Sequence, residues 1–186
     1  MFHLHKSFEG HTGDIKGIAE TTDSLVSCSR DGSVILWQLG KSYVHQGYVN
    51  SLAAAEFVIS GSSDKTIIVS DKAQEVGILI GHTDNICALD VCDDLIVSGS
   101  WDSTIKLWKN FECILTIEGH QFAVWDVKFV QSYLLSASAD KTIKLWDMNG
   151  KLLITFLGHT DVVRSLGIIP QIGFVSCSND AYKVYD

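Results

Sequence analysis

The chain has 186 residues, 14 Lys and Arg against 22 Asp and Glu, and a formal charge of −8 with His neutral. That length is one domain at roughly 100–200 residues each, and 46% hydrophobic residues with a mean hydropathy of +0.18 are too apolar for intrinsic disorder. No apolar run approaches the roughly 18 residues of a membrane helix, the start Met1–Phe8 lacks the basic head and long apolar core of a secretory signal, and a pI near 5.2 argues against a nucleic-acid backbone as the main ligand.

In chain order, residues 3–8 predict an isolated outer strand. Gly10-His11 follows, and then a strand ending in Ser27…Asp31, with Trp37 six residues beyond the Asp. The pattern degenerates once, from His45 through Ser60 and Asp64 to Ser70, where Val44 replaces the Gly and Ser70 the Trp, so an incomplete unit is expected. It returns at Gly81-His82 with Ser98, Asp102 and Trp108, and at Gly119-His120 with Ser136, Asp140 and Trp146. The last copy is Gly158-His159 with Ser176 and Asp180, and Tyr185 follows that Asp by five residues instead of six. The histidines are therefore 34, 37, 38 and 39 residues apart, a period that signals a repeat architecture.

Each unit reads as short strands. Around the third copy they are Val76–Ile80, Ile86–Val91, Leu95–Ser100 and Ile105–Trp108, β-branched runs punctuated by Gly, Asp and Ser. Tyr182–Tyr185 is the final strand, no segment has a helical period, and the expected class is all-β. Repeats are placed near 9–38, 44–71, 80–109, 118–147 and 157–186 of a single domain, 1–186.

These four-stranded units, with Gly-His and Trp marks, resemble WD repeats, whose units are the blades of a β-propeller. The resemblance implies that each His, Ser, Asp and Trp forms a hydrogen-bonded structural tetrad. It also implies that the leading outer strand and the final inner strands complete one blade. Five blades could close that way, or the chain could be part of a seven-bladed ring.

A His-Ser-Asp trio such as His82, Ser98 and Asp102 also fits a hydrolase triad. A triad is needed once, beside an oxyanion site, whereas this trio recurs in every well-formed copy. No catalytic, cofactor or metal site is therefore expected. Five Cys without C-x-x-C spacing suggest neither a disulfide framework nor a zinc site. Cys28 and Cys177 occupy the small position taken elsewhere by Gly61, Gly99 and Ala137, and both are expected to be buried. Cys87, Cys92 and Cys113 fall in other strands.

Propellers usually act through loop faces. Repeat phase directs the residues three and five after each His, and the one before each Asp, to one face. These are Asp14, Lys16 and Arg30; Tyr48, Asn50 and Ser63; Asn85, Cys87 and Trp101; Ala123, Trp125 and Ala139; Val162, Arg164 and Asn179. Aromatic and Arg side chains are the types that anchor interfaces; alternatively, Trp101 and Trp125 merely cap a central channel.

The stretches Gln46–Ser51 (QGYVNS), Ser98–Asp102 (SGSWD), Val124–Asp126 (VWD), Ser136–Trp146 (SASADKTIKLW), Asp161–Arg164 (DVVR) and Ser176–Asp180 (SCSND) resemble the N-terminal propeller of the phospholipase A-2-activating protein family. That resemblance implies a ubiquitin receptor of the degradation pathway, cytoplasmic and nuclear, binding ubiquitin through the loop face. Binding of the valosin-containing AAA segregase belongs to C-terminal domains absent from these residues. Two other classes are a general assembly scaffold and an F-box-type degron receptor. The latter would need several Arg converging on one phosphate, and Arg30 and Arg164 are two.

Overall fold

β-Branched and small residues alternate between short turns, so the described residues form nineteen strands and five antiparallel sheets. The computed structural model describes residues 6–185. The first blade is β1 (Ile15–Glu20), β2 (Leu25–Ser29), β3 (Ser33–Leu36) and β4 (Lys41–Val44), in that order across the sheet. The second is β5 (Val49–Ala54), β6 (Val58–Ser62), β7 (Thr66–Asp71) and β8 (Gln74–Ile80). The third is β9 (Ile86–Cys92), β10 (Leu95–Ser100), β11 (Ile105–Lys109) and β12 (Glu112–Ile117). The fourth is β13 (Val124–Val130), β14 (Tyr133–Ser138), β15 (Ile143–Asp147) and β16 (Leu152–Phe156). The fifth has three strands, β17 (Val163–Ile169), β18 (Gly173–Ser178) and β19 (Tyr182–Tyr185).

The core is four apolar layers between successive blades rather than one central mass. Ile86 and Leu89 of the third blade and Trp108 pack on Ile59, Ile67 and Val69 of the second. Val124, Val127 and Trp146 repeat this one blade on, against Val97, Ile105 and Leu107. Burying one such side chain contributes about 1.5–3 kcal/mol, so each blade depends on its neighbours. The innermost strands pack in sequence, β1 on β5, β5 on β9, β9 on β13 and β13 on β17, with no comparable packing of β17 on β1.

The arc is therefore open at both ends. On the first blade Ile15 and Ile18 are 54% and 70% exposed, although their repeat equivalents Val124 and Val127 are fully buried. On the fifth, Tyr182 and Val184 are 77% and 58% exposed, where the fourth blade buries Ile143. Cys177, expected to be buried like Cys28, is exposed for the same reason: among the described residues no blade lies over it. Of the expected closing strand 3–8, residues 3–5 lie outside the described residues, and Lys6–Phe8 forms no ladder. Phe8 nevertheless sits 5.1 Å from the Trp37 ring. It takes the place that Ile117 takes against Trp146.

Candidate partner-binding face

The loop face is built on a repeated hydrogen-bond frame. In the third blade His82 Nδ1 lies 2.7 Å from Asp102, its Nε2 2.8 Å from Ser98 Oγ, and Trp108 Nε1 donates to the same Oγ at 2.8 Å. His120, Ser136, Asp140 and Trp146 repeat this in the fourth blade at 2.7, 2.7 and 2.8 Å. His11, Ser27, Asp31 and Trp37 do so in the first at 2.8–3.1 Å. The bonds form a relay when His carries its proton on Nδ1: Trp donates to Ser, Ser to His, and His to the carboxylate. Each Asp also takes the backbone N–H after its His, as Asp102 does from Thr83 at 3.0 Å. Burial alone would raise the Asp102 and Asp140 carboxyls, but the bonds from His82 and Thr104, and from His120 and Thr142, hold them well below the usual range.

The second blade departs from its expected incompleteness. His45 still meets Asp64 at 3.0 Å and Ser60 at 2.8 Å, and the missing indole is replaced from outside the repeat. Tyr43, on the outer strand of the first blade, places its hydroxyl 3.0 Å from Ser60 Oγ. Burial pushes the Tyr43 phenol up and lowers the pKa of His45. The two substitutions are coupled. Gly119 and Gly81 lie against Trp146 and Trp108, where an added Cβ would stand 2.7 and 3.2 Å from the indole. With Ser70 in place of Trp, Val44 has no ring to meet. Among the described residues the buried Ser70 Oγ has no partner within hydrogen-bond geometry.

The fifth blade keeps His159 at 2.7 Å from both Asp180 and Ser176. Its missing residue lies in the Asp turn, at the position of Lys141: Ser178 N donates to Ala181 O as Ser138 N does to Thr142 O, and Tyr185 still pairs with Phe174 as Trp146 pairs with Leu134. Tyr185 stacks on Phe174 at 4.5 Å, and its buried hydroxyl has no hydrogen-bond partner among the described residues.

On this frame the predicted face residues fall into two structural classes. In the first four blades the residues three after the His and one before the Asp are joined by the backbone. Arg30 N donates to Asp14 O, Ser63 N to Tyr48 O, Trp101 N to Asn85 O and Ala139 N to Ala123 O, each at 2.9 Å. The residue five after each His is a β-bulge in every blade. Lys16, Asn50, Cys87, Trp125 and Arg164 are each left out of the ladder between paired neighbours. A bulge redirects a side chain and interrupts pairing, and nothing in the residue types announces it.

The structure brings part of the predicted set together. Trp101 and Trp125 meet edge-on at 5.6 Å, and the Arg164 guanidinium lies 5.1 Å over the Trp125 ring, so one aromatic–cation stack crosses blades three to five. Trp101 stays 44% exposed. Beneath the stack, Asp126 Oδ2 accepts Leu166 N at 2.7 Å and Ser165 Oγ at 3.2 Å, stitching the fourth blade to the fifth. The half-buried Cys87 thiol, pushed up to about 12 by desolvation, lies 2.9 Å from the Val124 carbonyl and links the third to the fourth.

The other predicted residues lie apart from this stack. Arg30 and Asp14 pair with each other at 3.3 Å, both exposed, and Asn179 donates to Asp161 at 3.0 Å. Tyr48 is 58% exposed with no aromatic neighbour among the described residues, and Lys16 and Asn50 make no side-chain hydrogen bonds there. Sequence phase missed Phe122, 59% exposed on the loop before Trp125, because it stands two residues after its His instead of three. Among the described residues no His, Cys, Asp and Glu cluster could hold a metal ion.

The WD domain, G-beta repeat family matches residues 2–38, 73–109 and 111–147, leaving out the degenerate second copy and the short fifth. Protein DOA1 of Saccharomyces cerevisiae is 39% identical over 96% of this chain and 28% of its own length. Telomerase protein component 1 of Mus musculus is 42% identical over 37% of this chain and 3% of its own length. The crystal structure of the WD40 β-propeller domain of Doa1 superimposes with a TM-score of 0.84 at 37% identity, over 92% of this chain and 64% of that one. The computationally designed Ika8 protein gives 0.83 at 32% identity, over 95% of this chain and 59% of that one. This chain thus spans 28% of the Doa1 sequence and 64% of its propeller domain. It belongs to the WD-repeat family, and its propeller is related to that of Doa1.

Proposed function

We propose that this chain is a non-catalytic, ubiquitin-binding WD-repeat module of the ubiquitin-dependent degradation pathway, with a cytoplasmic and nuclear location. The observation that carries the reading is the Trp101–Trp125–Arg164 stack, half exposed on the loop face of a Doa1-related propeller. Aromatic and Arg groups in a partly desolvated cluster are where interface energy concentrates, and a small, rigid partner with an apolar patch suits them. The His-Ser-Asp trios support a scaffold role, because they recur as the frame of every blade.

A phosphate-reading face is less well supplied. Arg30 is paired with Asp14 and Arg164 lies over Trp125, so the two do not converge as a phosphate clamp requires. Calorimetric titration of the chain with ubiquitin and, separately, with a phosphoserine peptide tests the reading. Heat with ubiquitin alone is expected. Heat with the phosphopeptide alone points to a degron receptor, and heat with neither to a general scaffold.

A further inference from the structure

On the face opposite the loops, a cleft of about 720 Å³ lies between the second and third blades. Its walls are Phe57, Ile59 and Val69 on one side and Val91, Ile96 and Phe111 on the other. The next interface shows why it is open. There Phe129 and Met148 of the fourth blade, together with Leu95 and Leu115 of the third, pack onto the buried layer between the blades. By repeat position Val91 stands where Phe129 does, and Asn110 where Met148 does. A smaller side chain and a polar one leave the space unfilled.

Phe111 marks the mouth. Its backbone is in the left-handed region, at φ 67°, and its ring is 50% exposed. A bulky residue pays conformational energy there, and the ring is held out over the second blade, where a Cβ on Gly77 would stand 2.6 Å from it. The rim is acidic. Asp94 pairs with Lys109 at 3.0 Å, while Glu56 and Asp93, both exposed, have no ion-pair partner among the described residues. The Asn110 side chain, also exposed, makes no hydrogen bond there. Unpaired carboxylates above an apolar floor repel phosphate and anionic lipid headgroups and attract cations.

We infer that this cleft is a second docking site, distinct from the loop face, for a short linear peptide that inserts one aliphatic side chain flanked by basic residues. The aliphatic group takes the volume that Phe129 and Met148 fill next door, the flanking cations meet Glu56 and Asp93, and the Asn110 amide is free for the peptide backbone.

The probe is the peptide Ac-GSRLRSG-NH2, titrated into the isotope-labelled chain by NMR, with Ac-GSELESG-NH2 and Ac-GSRGRSG-NH2 as controls. Saturable shifts are expected at Glu56, Asp93 and Phe111 with the first peptide, and binding roughly tenfold or more weaker with either control. The variant Val91→Phe restores the larger side chain of the filled interface and leaves Asn110, whose backbone is left-handed at φ 51°, unchanged. It should melt no lower than the parent and lose the peptide, while Glu56→Lys with Asp93→Lys should lose it through charge. Absent shifts, equal binding of the acidic peptide, shifts confined to the Trp101 and Trp125 indoles, or a filled-cleft variant that still binds would each overturn the proposal.

Discussion

Val124 and Val127 in the fourth blade are sealed from solvent, whereas Ile15 and Ile18, at the same repeat positions in the first, are 54% and 70% exposed. The residue types and local strands are alike; the difference is whether a blade precedes them. A blade in this fold is thus a hydrogen-bonded unit whose core is half supplied by its neighbour, and its internal frame survives without that neighbour. His11, Ser27, Asp31 and Trp37 keep their bonds at the open end. The second blade makes the complementary point: its frame is repaired by Tyr43 from the adjoining blade.

The largest effect should follow from breaking the frame of an interior blade. Asp140→Ala strands His120 Nδ1, Gln121 N and the Thr142 donors, and leaving buried donors unpaired costs about 1–3 kcal/mol. Thermal unfolding should show a clear loss, and a parent-like melt would remove Asp140 from the frame.

The same carboxylate sets an acid limit. Its pKa is lowered in the folded state, so its contribution is full above the unfolded value of about 3.9 and is lost as pH falls through the folded value. Stability measured from pH 5 downward should fall less steeply in Asp140→Asn than in the parent. Equal slopes would assign the acid loss to other groups.

Tyr43→Phe sharpens the comparison of regular and repaired blades. It keeps the ring and removes only the bond to Ser60, so a loss of about 1 kcal/mol is expected. An unchanged melt would mean that the second blade does without a replacement for Trp.

At the open ends the effect is on association rather than folding. Ile18→Lys with Val184→Lys alters two exposed positions and should change stability by less than about 0.5 kcal/mol. Exposed apolar sheet faces favour self-association, so sedimentation should show the parent associating and the double variant shifted toward monomer. An already monomeric parent would contradict that view of the ends.

What was legible in the sequence follows from this division. The repeat frame was readable because His, Ser, Asp and Trp recur at fixed spacing, and the position five after each His because it stays in phase with that frame. Tyr43 was not, because the residue that completes the second blade lies in the preceding one, outside the repeat position that Ser70 holds. The bulges at Lys16, Asn50, Cys87, Trp125 and Arg164 are backbone events with no residue signature, since five different side chains occupy them. The exposure of Cys177 depends on a neighbouring blade rather than on its own S-C-S motif. Phase also placed Asp14 and Arg30 as contributors to a partner surface without revealing that they pair with each other.

The central claim is that the Trp101–Trp125–Arg164 stack binds ubiquitin, and an NMR titration of labelled ubiquitin tests it most directly. The parent should shift the resonances of ubiquitin's apolar patch. Trp101→Ala should abolish those shifts while melting near the parent, because removing a central aromatic anchor often costs about 2 kcal/mol or more. Asp71→Ala, at the end of β7 on the opposite face, should bind as the parent does. An unshifted patch at high parent concentration, or binding lost with Asp71→Ala but kept with Trp101→Ala, would contradict the account.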